Sequence, residues 1–172
     1  VLLATGPSGY RSLCRLGSLL QGSADRDARL ARGLSWDELR ENADGLLCLT
    51  GGRRGWIWRS LARGDQRGAY RIAGRLAGIL GEQRTFLSLE LQRADTRELE
   101  QGRALDELGR RLGLPLAAVH PIYTLTAADA PRLLLLAAID SNCALGEVPM
   151  ERLPHAGDPS VALHWQTGAE MA

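Results

Sequence analysis

The sequence predicts an α/β domain with a largely parallel sheet. Short apolar runs alternate with longer amphipathic segments, which is the order expected of strands joined by crossover helices. Capping and breaking residues separate these segments: a Ser-Trp-Asp-Glu capping box begins at Ser35, and Gly45 and Gly113 mark the ends of helical patterns. We expect one domain over residues 1–140 and a loop-rich tail over residues 141–172.

The strands are predicted from short apolar runs. The runs at 1–5 and 46–50 are continuous and indicate buried strands, whereas residues 86–91 alternate between leucines and other residue types. A further buried strand is expected at 116–119, and the tail contains a candidate strand at 161–165. The alternation of these runs with helices indicates parallel pairing.

The helices are predicted from apolar periodicity and from their end signals. Ser8, Ser35 and Thr96 are expected N-caps, and Pro131 fits a first helical turn, where its missing N–H costs little. The polar stretch 21–34 has no period and predicts a loop. The predicted helices are residues 8–20, 35–44, 56–63, 65–80, 96–112 and 127–140.

The composition excludes several classes of protein. All 21 basic residues are arginine, and the net charge of +1 provides no global field for nucleic acid or for an anionic membrane. No apolar run approaches the roughly 18 residues that a membrane span needs, and no signal peptide is recognisable, so a cytoplasmic protein without a membrane partner is expected. Because the chain opens on an apolar run without a methionine, we expect it to be part of a larger protein.

Two segments carry a resemblance to a known family. Residues 45–55 (GLLCLTGGRRG) resemble the G-L-I-x-L-T-G-C-x-x-G segment of the PHP (polymerase and histidinol phosphatase) domain of bacterial DNA polymerase III alpha subunits. Residues 114–125 (LPLAAVHPIYTL) are similar to its G-L-P-x-V-A-T-N-D-V-H-Y-L segment. Shorter similarities lie in the family's order at residues 1–16, 86–92 and 127–139. The error-prone relatives of the replicative subunit share these segments.

The resemblance implies a distorted (β/α) barrel, of which this chain would be the C-terminal part. Active members of the family gather up to three metal ions at the barrel mouth and hydrolyse phosphoesters, with metal-bound water as the nucleophile. Here the family's ligand positions are occupied by Gly52, Arg93 or Ala94, Pro121 and Tyr123. A degenerate metal site and no cofactor are therefore expected.

Isolated groups remain as weak candidates for metal ligands. His120 follows a predicted strand at the end where α/β barrels place their sites, and Asp95 is the nearest carboxylate after the 86–91 strand. His120 replaces an Asn of the family segment, and Asp95 also fits the flank of a helix N-terminus. His155 and His164 have no partner at ligand spacing.

Arginines form the other candidate site. A ridge at four-residue spacing, preceded by an arginine pair, could neutralise phosphates, although Gly64 and Asp65 are expected to interrupt it. The residues are Arg53, Arg54, Arg59, Arg63, Arg67, Arg71 and Arg75. An ordinary solvated face is the alternative. The glycines of residues 51–55 also permit incidental anion binding.

The sequence thus predicts a metal-binding-deficient PHP fragment of a DNA polymerase III alpha subunit that serves as a structural platform in replication or translesion synthesis. The fragment itself is expected to be inactive, and its parent to be a DNA-directed DNA polymerase. The expected partners are the remaining domains of that subunit, with a proofreading subunit as a further candidate. The alternatives are a phosphoesterase or 3′-5′ proofreading exonuclease completed by upstream residues, and a nucleic-acid-binding module that uses the arginine ridge.

Overall fold

The computed structural model describes residues 1–22, 24–91, 96–157 and 161–168. They fall into two compact units, one formed by residues 1–90 with 99–119 and the other by residues 91–98 with 120–172. The division predicted at residue 140 concerns the family domain and stays a prediction. Among the described residues, no helix is long and apolar enough to cross a membrane.

A four-stranded sheet forms the centre of the first unit. Its strands, in spatial as in chain order, are β1 (Leu2–Ala4), β2 (Leu46–Leu49), β3 (Thr85–Leu89) and β4 (Leu116–Ala118). Strands β2, β3 and β4 are parallel, as predicted, whereas β1 is antiparallel to β2. The sheet is open in the described residues, so the α/β class is confirmed and the barrel is present only in part.

The outer strands differ from the prediction of buried strands. Leu3 of β1 is 45% exposed and Ala4 is exposed, because β1 lies at one end of the sheet and has a neighbour only in β2 among the described strands. Strand β4 lies at the other end, and its residues are half-buried or exposed. Apolar runs therefore identified both strands correctly but overstated their burial.

Seven α-helices are present in the described residues. They are α1 (Pro7–Gln21), α2 (Arg26–Arg32), α3 (Trp36–Glu41), α4 (Trp56–Ala62), α5 (Gln66–Leu80), α6 (Thr96–Leu112) and α7 (Ala130–Ser141). The capping box at Ser35 is confirmed, with hydrogen bonds in both directions between Ser35 and Glu38. Pro131 lies in the first turn of α7, as predicted.

Two predicted caps are wrong. Ser8 lies inside α1, because Pro7 already occupies the first turn with its fixed φ and Gly6 is the cap residue. Thr96 is likewise the first residue of α6 rather than the residue before it. Ser8 and Thr96 are residue types that often cap helices, but each lies inside its helix instead of before it.

The loop predicted at residues 21–34 is also wrong, because it contains helix α2. Asp25 caps this helix by accepting a hydrogen bond from the Ala28 N–H. The buried side chain of Arg29 anchors it: its Nε donates to the Leu19 carbonyl oxygen at 3.0 Å, and its guanidinium lies 2.6 Å from a Glu38 carboxylate oxygen. A buried arginine in place of an apolar residue hid the periodicity of the helix.

The core of the first unit lies between the central strands and helices α4, α5 and α6. Leu46 of β2 and Leu87 of β3 are completely buried, and Ile57 of α4 and Leu105 of α6 are almost so. In α5, Ala69, Ala73, Leu76 and Leu80 form a buried apolar face. Burial of such leucine and isoleucine side chains contributes roughly 1.5–3 kcal/mol each.

The second unit contains α7 and a set of short 3₁₀ turns. The strand predicted at 161–165 is absent from the described residues, where Thr124 and His164 form a single isolated bridge. At the start of the helical segment, Asp129 accepts hydrogen bonds from the hydroxyl and the N–H of Thr126, which lower the pKa of the Asp129 carboxyl.

The ion pair between Arg29 and Glu38 predicts a pH-dependent stability. Hydrogen bonds from Arg29 and then from Ser35 lower the pKa of Glu38 from 4.5 to about 2. The unfolded state therefore binds more protons between these values, so this stabilisation is present above pH 4.5 and is lost as the pH falls toward about 2. Urea denaturation across this range should show a steeper loss for the native chain than for Glu38→Gln.

Asp37→Asn is the matched control for this experiment. Asp37 pairs with Arg40 on the same helix, but both side chains are largely exposed, and such pairs contribute little. The control should therefore retain the native pH profile. If Glu38→Gln gave the same pH profile as the native chain and the control, the Arg29–Glu38 pair would not stabilise the packing of α2 against α3.

Candidate functional site

The candidate site lies at the carboxyl edge of the parallel strands β2 and β3. Thr50 and the glycine-rich residues 51–55 follow β2, and Glu90 follows β3. Because β2 and β3 are parallel, these residues emerge at the same edge. Side-chain oxygens join them: the Ser88 N–H donates to Thr50 Oγ1, and the Gly51 N–H donates to Ser88 Oγ.

Glu90 contacts the position at which the resemblance places a cysteine ligand. Its side chain is 6% exposed, and its Oε2 accepts a hydrogen bond from the Arg53 N–H at 3.0 Å. A Cβ built on Gly52 would overlap Glu90 Oε2 and lie 3.1 Å from the Glu90 Cβ. Gly52 also has a φ of +55°, which side chains rarely adopt. The space that a ligand at this position would enter is therefore filled by Glu90.

The other family ligand positions offer no cluster of metal-binding side chains. Pro121 is half-buried and Tyr123 is exposed, while Arg93 and Ala94 lie outside the described residues. Among the residues that the structure describes, no three His, Cys, Asp or Glu side chains come together as a cation site. The donors within the described ranges thus do not fit the metal centre that the family resemblance implies.

Of the weak candidates, the structure describes the side chains of His120 and His164 only. The His120 Nε2 lies 3.0 Å from the His164 carbonyl oxygen, and since a carbonyl only accepts, this nitrogen donates. His120 is therefore a hydrogen-bonded loop residue in the second unit. Asp95 and the side chain of His155 lie outside the described residues.

The predicted anion loop is built differently from a phosphate cradle. Residues Gly52–Arg54 form one 3₁₀ turn, preceded by Gly51 in the left-handed region. The Arg53 N–H, which would face a bound anion, donates instead to the Glu90 carboxylate. This N–H is thus engaged within the protein, and incidental anion binding by the loop stays a prediction.

The break between helices α4 and α5 divides the arginine ridge in two, as the presence of Gly64 predicted. Helix α4 ends at Ala62, Gly64 has a φ of +77°, and α5 begins at Gln66. Arg75 stacks on Trp36, with its guanidinium carbon 4.8 Å from the ring centroid. The remaining ridge members, Arg59, Arg63, Arg67 and Arg71, are exposed, as is Arg54, whereas Arg53 is half-buried.

Sequence reasoning missed two features of this region. The first is the role of Glu90, which the sequence analysis treated only as part of a predicted strand. A carboxylate within a run of leucines indicates that it has a partner when it is buried. The second is the cluster of Trp36, Trp56 and Arg75, whose members are far apart in the chain. No local pattern in the sequence indicates this cluster.

The fold is an open, mostly parallel sheet flanked by helices, with loops and a buried carboxylate at the carboxyl edge of its parallel strands. These features define an α/β domain of the type that places sites at strand ends. The PHP domain model matches residues 1–94, more than half of the chain. The chain therefore belongs to the PHP domain family, and the resemblance drawn from the sequence is confirmed.

The curated relatives are much longer polymerases. The error-prone DNA polymerase of Symbiobacterium thermophilum is 34% identical over 136 residues, which cover 71% of this chain and 12% of the relative. DNA polymerase III subunit alpha of Bacillus subtilis is 25% identical over 154 residues, which cover 90% of this chain and 13% of the relative. The chain thus spans about an eighth of the length of these relatives.

The packing of Glu90 against Gly52 predicts that the family ligand cannot simply be restored. Gly52→Cys should lower the free energy of unfolding by about 1–3 kcal/mol, because the new side chain overlaps Glu90 and requires a strained φ. Adding Glu90→Ala should recover the part that is due to overlap, which a double-mutant cycle measures by urea denaturation.

Gly78→Ala is the matched control for the Gly52 substitution. Gly78 lies within α5, and a Cβ there meets no atom within 4 Å. This control should stabilise the protein by about 0.5–1 kcal/mol. If Gly52→Cys were neutral, or if its effect were simply additive with that of Glu90→Ala, the steric account of this position would be wrong.

Proposed function

We propose that this chain is a metal-binding-deficient part of the PHP domain of a bacterial DNA polymerase III alpha or error-prone polymerase, and that it acts as a structural platform beside the polymerase core. The matched family model and the polymerase relatives support the first part of this proposal. In this role the chain provides a folded surface for packing and does not hydrolyse phosphoesters. Its partners are the other domains of the subunit.

The observation that supports the loss of metal is the contact between Glu90 and Gly52. A metal centre needs side chains that converge on one point and keep their lone pairs for the ion. Here Glu90 is buried, with an oxygen engaged by the Arg53 N–H, and position 52 has neither a donor nor space for one. The carboxylate at this edge is thus used by the protein backbone.

The family's closing ligand pair gives independent support. Pro121 has no side-chain donor atom, and the exposed Tyr123 offers only a single phenolic oxygen. His120 lies beside these positions but donates through Nε2 to a backbone carbonyl. A lone imidazole is too few ligands for a tightly held Zn²⁺, which takes three or four from the protein.

Metal content tests the deficiency directly. After equilibration with Zn²⁺, Mn²⁺ or Fe²⁺ and exchange into metal-free buffer, the purified chain should retain much less than one ion per molecule by elemental analysis. A chelator should leave its melting temperature unchanged, since no folding energy would depend on a metal. One tightly held ion per chain, lost on His120→Ala or Asp95→Asn, would overturn the proposal.

The polymerase assignment has a separate test in the reading frame that encodes the chain. If the platform role is right, this frame should continue into polymerase sequence, as in the relatives, of which the matched segment is only 12% and 13%. A frame that encodes a short, separate protein would contradict the platform role while leaving the result for metal unaffected.

A further inference from the structure

We draw no further inference here: the strongest candidate, the groove of about 260 Å³ between helices α5 and α6 that contains Arg67, Tyr70 and Arg111, carries none, because Arg111 pairs with Glu107 inside it and nothing in the described residues shows what would fill or cover it.

Discussion

The hydrogen bond between the Arg53 N–H and the buried Glu90 carboxylate joins the ends of the two central strands. Strands β2 and β3 are paired over only two positions, Cys48 with Thr85 and Leu49 with Phe86, so the ladder alone defines their carboxyl ends weakly. The Glu90 contact and the two hydrogen bonds of Ser88 with the β2 loop extend this pairing through side chains. The turn that they fix is the one from which helix α4 begins.

The same contact also satisfies the buried carboxylate within the protein. A buried carboxylate requires hydrogen-bond donors, and a backbone N–H at this position supplies one without any ion. Gly52 permits this arrangement, since a larger side chain would displace Glu90. The two residues therefore constrain each other: the glycine makes room for the carboxylate, and the carboxylate excludes a ligand from position 52. The packing of this edge therefore depends on one pair of residues.

The sequence predicted the elements that repeat a local pattern and missed those that depend on distant partners. The four strands of the sheet, the long helices and the capping box of Ser35 follow from periodicity and end signals and were found, whereas the strand predicted at 161–165 was not. Helix α2 was missed because its buried position is held by Arg29, whose partners Leu19 and Glu38 lie in other elements. The burial of the outer strands was overstated because an apolar run does not report its place in a sheet.

The candidate site, like the fold, could be predicted only where a feature depends on local sequence. The family's ligand positions could be read from the sequence one by one, but the role of Glu90 depends on the parallel alignment of β2 with β3, which only the fold provides. The resemblance identified Gly52 as a departure from the family. The structure shows why a glycine fits this position: the Glu90 side chain packs against it.

The arginines illustrate the difference between a pattern along the chain and a surface. A spacing of four residues turns each successive side chain by about 40° around a helix, so even an unbroken ridge would drift away from a straight phosphate backbone. Gly64, which has a left-handed backbone conformation, also separates the arginines of α4 from those of α5. Helix packing then places Arg75 against Trp36, and Trp36 against Trp56, although these residues are far apart in sequence. A cluster of two aromatic rings and a guanidinium group therefore arises where α3, α4 and α5 meet, and no spacing along the chain indicates it.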